Sequence, residues 1–196
     1  KGDTVKAGQL IAQATGFVSA NIHSSVSGTI VAIDNVTDAA GLSKPAITIK
    51  VEGDEWENGI DRTEKIEHNI ALSQEEIIKA IAAAGIVGMG GATFPTQVKL
   101  TPPPGNKAEF LIINGVECEP YLTSDHRIML EKAEEIIIGV QILMKAIGVK
   151  KAIIGIENNK KDAIAHLQQI ADKTPEIEIC PLKVKYPQGG EKQLIQ

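Results

Sequence analysis

The sequence predicts a small all-β module of the sandwich or barrel kind, followed by a larger α/β domain built on a parallel sheet. Three observations carry this. Residues 1 to 53 break into six short β-like segments punctuated by turn residues. From Ser73 onward the apolar residues recur at helical spacing instead. That second part alternates apolar strands with amphipathic helices across short joints, which is the pattern of parallel strands linked by helical crossovers. At 196 residues the chain is long enough to bury a real core in such a pair.

The elements follow in order. "KGDTVKAGQLIAQATG" has turn signals at Gly2-Asp3 and Ala7-Gly8 alongside Val5, Leu10 and Ile11, and "NIHSSVSGTIVAI" and "PAITIKV" continue the strand pattern. Residues 54–72, which open "DEWENGIDRTEKIEHNIA", are polar, carry the single tryptophan and read as a connection. "SQEE" is a capping box, with Ser73 as N-cap and Glu76 three residues on. Ile77, Ile81 and Ala84 mark one helical face, and Gly85 is placed to stop that helix. "EFLIINGV" (109–116) is a short apolar run, as a strand covered on both faces requires. Ala133, Ile137, Val140, Met144 and Ile147 keep a 4-3-4-3 spacing up to Gly148. "KAIIGI", "NKKDAIAHLQQIAD" and "EIEICPLKV" then read as strand, helix and strand. The domains are therefore 1–53, a connection 54–72, and 73–196.

Composition excludes several classes. A 43% hydrophobic share and a net charge of −5 describe a folded chain, neither disordered nor built for nucleic acid. No apolar run approaches the roughly 20 residues that span a bilayer, and no signal peptide is visible. Two cysteines, Cys118 and Cys180, cannot ligate an iron–sulfur cluster alone. The four histidines show no metal spacing, so no metal site is expected. The chain begins without methionine and in mid-pattern, and it reads as a fragment truncated at its C-terminus.

Three loops carry candidate chemistry. In "AAAGIVGMGGATFPTQVK" (82–99), four glycines fall within seven residues. No Gly-Lys-Ser/Thr follows, so it is not a Walker A loop, and the dinucleotide fingerprint is incomplete. It is either a loose connection or a bare backbone against which something flat or anionic lies; the stiff Phe94-Pro95 pair argues for the second. In "NGVECEPYLTSD" (114–125), Asn114, Glu117 and Glu119 gather where the first buried strand ends. That group is a solvated turn, an acid–base pair or a set of acceptors for sugar hydroxyls, with Cys118 as a small filler between the two carboxylates. In "YPQGGEKQLI" (186–195), a Gly-Gly pair opens a helix, a backbone arrangement suited to an anion.

In this order, "GMGGATFPT", "NGVECEPYLTSDHRIM" and "YPQGGEKQLI" resemble the RnfC family, a component of the Rnf ion-translocating electron transport complex. That family is itself related to the flavin- and NADH-binding component of respiratory complex I. The resemblance covers essentially the whole chain. It implies a Rossmann-like α/β domain with a site for FMN and NADH. It assigns FMN to Gly88, Gly90, Lys99, Asn114, Glu117, Tyr186, Gly189 and Gly190, and NADH to Gly91, Phe94, Glu119 and Glu191. Val116 and Gly190 stand where the complex I relative has acidic residues. The first module is similar to biotinyl and lipoyl carrier domains, but its hairpin "QATGFVSANIHSS" has no lysine to modify, which favours a docking module.

The implied role is that of an NADH dehydrogenase component, peripheral on the cytoplasmic face of the cell membrane, with the other components of the complex as partners and ferredoxin an indirect one. The 4Fe-4S clusters would belong to the full-length protein and not to this chain. Hydride transfer needs the nicotinamide stacked on the flavin at about 3–3.5 Å, and glycine supplies walls thin enough for that. No catalytic side chain is required, because the flavin takes the hydride. Two other readings stay open. One is a flavin-free relative with a structural or quinone-side role, of the kind found in the sodium-pumping NADH:quinone reductase. The other is a carrier domain fused to an α/β domain.

Overall fold

In the computed structural model, residues 1–89 and 92–196 are described. They form two compact units, one of Lys1–Lys65 with Lys79–Val98, the other of Ile66–Ile78 with Lys99–Gln196.

The first unit is an antiparallel β module. Its strands are β1 (Thr4–Val5), β2 (Leu10–Ala12), β3 (Ile22–His23), β4 (Gly28–Thr37) and β5 (Ser43–Val51), in two sheets ordered β1-β4-β5 and β2-β3. The β4–β5 hairpin sets the scaffold, with Ile30 opposite Ile49 and Ile33 opposite Ile47. Its turn is closed by Asp38, whose carboxylate accepts the Ala40 and Leu42 amides at 2.9 Å each, the local bonding that makes aspartate a turn residue. Val5, Ala7 and Ile30 are buried beneath it. Five strands form among the described residues where the sequence suggested six segments. The start of the polar connection also joins the module, through a parallel bridge between Ala7 and Trp56.

Residues 79–98 are held on this module by specific bonds. Asn21 donates its side-chain amide to the Ala83 carbonyl at 3.1 Å, and Gln97 does the same to the Ser19 carbonyl at 2.8 Å. Gly85 turns the chain with φ +66°, and a Cβ there would lie 2.2 Å from the Asn21 carbonyl oxygen. Only glycine meets both conditions. Gly85 ends α1 (Gln74–Ala83), whose start carries the predicted capping box: the Ser73 amide donates to Glu76 at 2.8 Å, and the Glu76 amide donates back to Ser73 Oγ at 3.4 Å. A single turn, α2 (Thr96–Lys99), follows the glycine-rich stretch.

The second unit is the α/β domain. Strands β6 (Leu111–Gly115), β7 (Ala152–Glu157) and β8 (Ile177–Leu182) form a parallel sheet in the order β6-β7-β8. Helices α3 (Ser124–Glu131), α4 (Ala133–Ile147), α5 (Lys161–Ala171) and α6 (Glu191–Ile195) alternate with them. The 4-3-4-3 stripe of α4 is its buried face: Ala133, Ile137, Val140 and Met144 all lie in the core with Ile154, Ile156 and Leu167. Full burial of each large aliphatic contributes about 1.5–3 kcal/mol, so the stripe alone fixes how α4 lies on the sheet. Gly148 closes the helix in the left-handed conformation, φ 74°. Because all three strands run the same way, the loops after β6, β7 and β8 gather at one end of the sheet, where open α/β sheets place their sites. Among the described residues, no helix is long and apolar enough to cross a membrane.

Candidate functional site

Two of the three candidate loops meet at that end of the sheet. Asn114, near the end of β6, donates Nδ2 to the Gly189 carbonyl at 2.8 Å, while its Oδ1 accepts the Val116 amide at 3.1 Å. Gly189 answers with its own amide, which donates to Cys118 Sγ at 3.2 Å. Both backbone groups of one glycine are thus held by side chains more than 70 residues away. The fit leaves no space for a side chain: a Cβ on Gly189 would sit 3.0 Å from Cys118 Sγ and 3.3 Å from the Val116 carbonyl oxygen. Cys118 is therefore more than filler, since its sulfur accepts a hydrogen bond across the loop contact.

Glu117 faces the other way. It is buried, and its carboxylate accepts the Asp125 amide at 2.9 Å, the His126 amide at 3.2 Å and the Ser124 hydroxyl at 3.3 Å. These groups open α3, whose N-cap Thr123 makes no side-chain cap bond. Glu117 thereby satisfies helix-end donors that would otherwise lack a partner, and its charge suits the positive end of the helix. Lys160, with 12% of its side chain exposed, brings Nζ to 4.0 Å from Glu117 Oε2. Partial removal from water, and then the Glu117 charge, push the Asp125 carboxyl above its ordinary value. Beside it, His126 Nε2 lies 2.8 Å from Asp162 Oδ1; that hydrogen bond first, with the Ala163 amide, holds Asp162 below its ordinary value.

The other predicted residues fall in three groups. Lys99 and Glu191 come within 4.0 Å, both largely in solvent, with Glu191 opening α6 after Gly190. Glu119 is exposed, and Tyr186 is 75% exposed. Gly88 and Phe94 belong to the first unit, where the Gly88 amide donates to the Phe94 carbonyl at 2.8 Å beside a Val87–Pro95 bridge. Gly90 and Gly91 lie outside the described residues. Sequence reasoning missed Lys160 and the bonding role of Cys118. Neither leaves a local signal, because each finds its partner through the sheet.

Known proteins share these motifs. The model of the Nuo51 FMN-binding domain matches residues 81–196. The chain belongs to the Nuo51 FMN-binding domain family. Ahead of that domain, the model of the RnfC barrel sandwich hybrid domain matches residues 1–54, so the β module and the Nuo51 domain stand in one chain. The RnfC-type component of the proton-translocating ferredoxin:NAD(+) oxidoreductase complex of Clostridium ljungdahlii is 48% identical over 196 residues, which is 100% of this chain and 42% of that protein. Its counterpart in the Na(+)-translocating complex of Acetobacterium woodii is 43% identical, again over 100% of this chain, and 44% of its own length is covered. The chain spans less than half the length of these relatives. Among solved structures, the NAD+-reducing [NiFe]-hydrogenase in its air-oxidized state matches with a TM-score of 0.56 and 28% identity, over 63% of this chain and 23% of that one.

The residues of the Nuo51 domain suit the FMN for which the family is described. The sheet end offers bare backbone at Gly189 and Gly190 and an exposed cation at Lys99, the kinds of surface that a flat ring and a phosphate need. Two enclosed acceptors, Glu157 Oε1 at the end of β7 and Gln188 Oε1 beside Gly189, have no hydrogen-bond partner among the described residues. A hydroxyl-rich ribityl chain carries donors of the kind such oxygens take.

Proposed function

We propose that this chain is the FMN-binding, NADH-oxidising part of an Rnf-type ferredoxin:NAD oxidoreductase, in which it belongs to the RnfC component. The observation that carries the reading is the bond from Asn114 to Gly189, which ties two motifs of the flavin site together at the carboxyl end of the sheet. In this reading Lys99 holds the flavin phosphate or ribityl chain, and Asn114, Gly189 and Gly190 form the wall behind the cofactor. Tyr186 closes over that wall, while Glu119 and Glu191 reach the nicotinamide nucleotide. Glu117 supports the loop from behind rather than from the front. Gly88, Gly90, Gly91 and Phe94 enter as cofactor and NADH contacts on the strength of their motif. Bound FMN supplies the hydride acceptor; the protein orients and shields it. The 4Fe-4S clusters that carry electrons onward belong to the rest of the full-length protein. The partners are NADH, the other components of the complex and, through them, ferredoxin, at the cytoplasmic face of the membrane.

Titration of the chain with FMN, followed by quenching of flavin fluorescence, tests this. Saturable one-to-one binding, with bleaching of the bound flavin on addition of NADH, is expected. Protein that ignores both molecules overturns the proposal and favours the flavin-free relative.

A further inference from the structure

We propose that Cys118 is a positioning residue of the flavin site, its sulfur setting the seat of the Gly189 backbone. The inference rests on the flavin reading above but is carried by its own geometry. The loop after β6 presents alternating side chains. Asn114 and Cys118 turn toward the 186–190 loop, and Glu117 between them turns into α3. Asn114 takes the Gly189 carbonyl and Cys118 takes the Gly189 amide, so the peptide units on both sides of Gly189 are fixed. The first bond resists lateral slip of the loop, and the second fixes the rotation of the preceding peptide.

The sulfur acts by size as well as by bonding. A virtual Cβ on Gly189 lies 3.0 Å from Sγ, so the loop rests against the thiol with no slack. A smaller residue at 118 opens a gap and removes the acceptor. A thioether or larger adduct pushes Gly189 out, because the Val116 carbonyl oxygen closes the space behind it at 3.3 Å from the same point. Gly190 follows directly and opens the helix that carries Glu191, the partner of Lys99. Displacing Gly189 therefore shifts three residues assigned to the cofactor without touching any of them.

Two measurements on the same variants test this. Amide hydrogen exchange at Gly189, read by NMR on cofactor-free protein, is expected to quicken roughly fivefold in Cys118→Ala, the effect of losing one modest hydrogen bond. Cys118→Ser, which keeps an acceptor on the same carbon, is expected to restore most of the protection. FMN affinity, from fluorescence quenching, is expected to fall by a similar factor in the alanine variant and to recover in the serine variant. Wild-type exchange at Gly189 in Cys118→Ala overturns the proposal. So does faster exchange with undiminished FMN affinity, since the latch would then be irrelevant to the site. If the unaltered chain does not take FMN, the functional reading fails, and the exchange measurement alone decides whether Cys118 seats Gly189.

Discussion

Replacing Glu117 by glutamine separates two roles open to the same residue, support of a helix and contact with a cofactor. Its carboxylate accepts two amides and one hydroxyl at the start of α3, with the Lys160 ammonium 4.0 Å away. Glutamine keeps one oxygen, enough for the Asp125 amide and the Ser124 hydroxyl. Its NH2 group then faces the His126 amide and Lys160, donor against donor. Losing one hydrogen bond to a charged acceptor costs about 1.5–3 kcal/mol. Lys160, mostly enclosed, loses its counter-charge as well, although relief of the repulsion on Asp125 offsets part of that. The net expectation is about 2–4 kcal/mol of lost stability, which in a chain of this length lowers Tm by roughly 5–15 °C. Thermal melts followed by circular dichroism measure it. A second variant, Lys160→Met, made alone and with Glu117→Gln, isolates the pair by a double-mutant cycle. If Glu117→Gln melts with the parent while FMN affinity collapses, Glu117 faces the cofactor and the capping argument fails.

Two further outcomes follow from the same geometry. The Asp125 carboxyl sits above its ordinary value because of partial burial and the Glu117 charge, so the folded state holds its proton more tightly than the unfolded state does. That ionised group costs stability at neutral pH, and the cost disappears as pH falls through its raised pKa toward the ordinary value. Asp125→Asn should therefore raise Tm at pH 7 and lose that advantage in acid; an advantage that grows on acidification contradicts the sign. Glu119→Gln should weaken NADH-dependent bleaching of bound flavin more than it weakens FMN retention, as read in one stopped-flow series. Equal losses would mean that Glu119 touches the flavin itself.

What the sequence revealed and what it hid divides by distance along the chain. The α4 stripe, its Gly148 stop and the Ser73–Glu76 capping box rest on neighbours three or four residues apart, so periodicity and cap chemistry specify them. Strands β6, β7 and β8 were legible because a parallel strand buried on both faces must be short and apolar. The attachment of 79–98 to the β module was not, because it depends on Asn21 reaching Ala83 and Gln97 reaching Ser19. Nothing in either stretch alone marks such a pairing. Cofactor identity came from three motifs in a fixed order, a likeness that no local pattern supplies.

The loop after β6 shows how such hidden contacts decide function. From sequence, Asn114, Glu117, Cys118 and Glu119 form one polar cluster with interchangeable roles. In the folded chain Asn114 and Cys118 are committed to Gly189, and Glu117 is committed to α3. A loop pinned on both sides cannot swing to meet a ligand, so whatever binds must come to it. Glu119 is the acidic side chain of that cluster which remains exposed. A carboxylate presented from so fixed a base loses little conformational freedom on binding. That is the condition for orienting a nicotinamide nucleotide rather than merely attracting one, and it places the selectivity for the reductant in Glu119 instead of in the larger cluster.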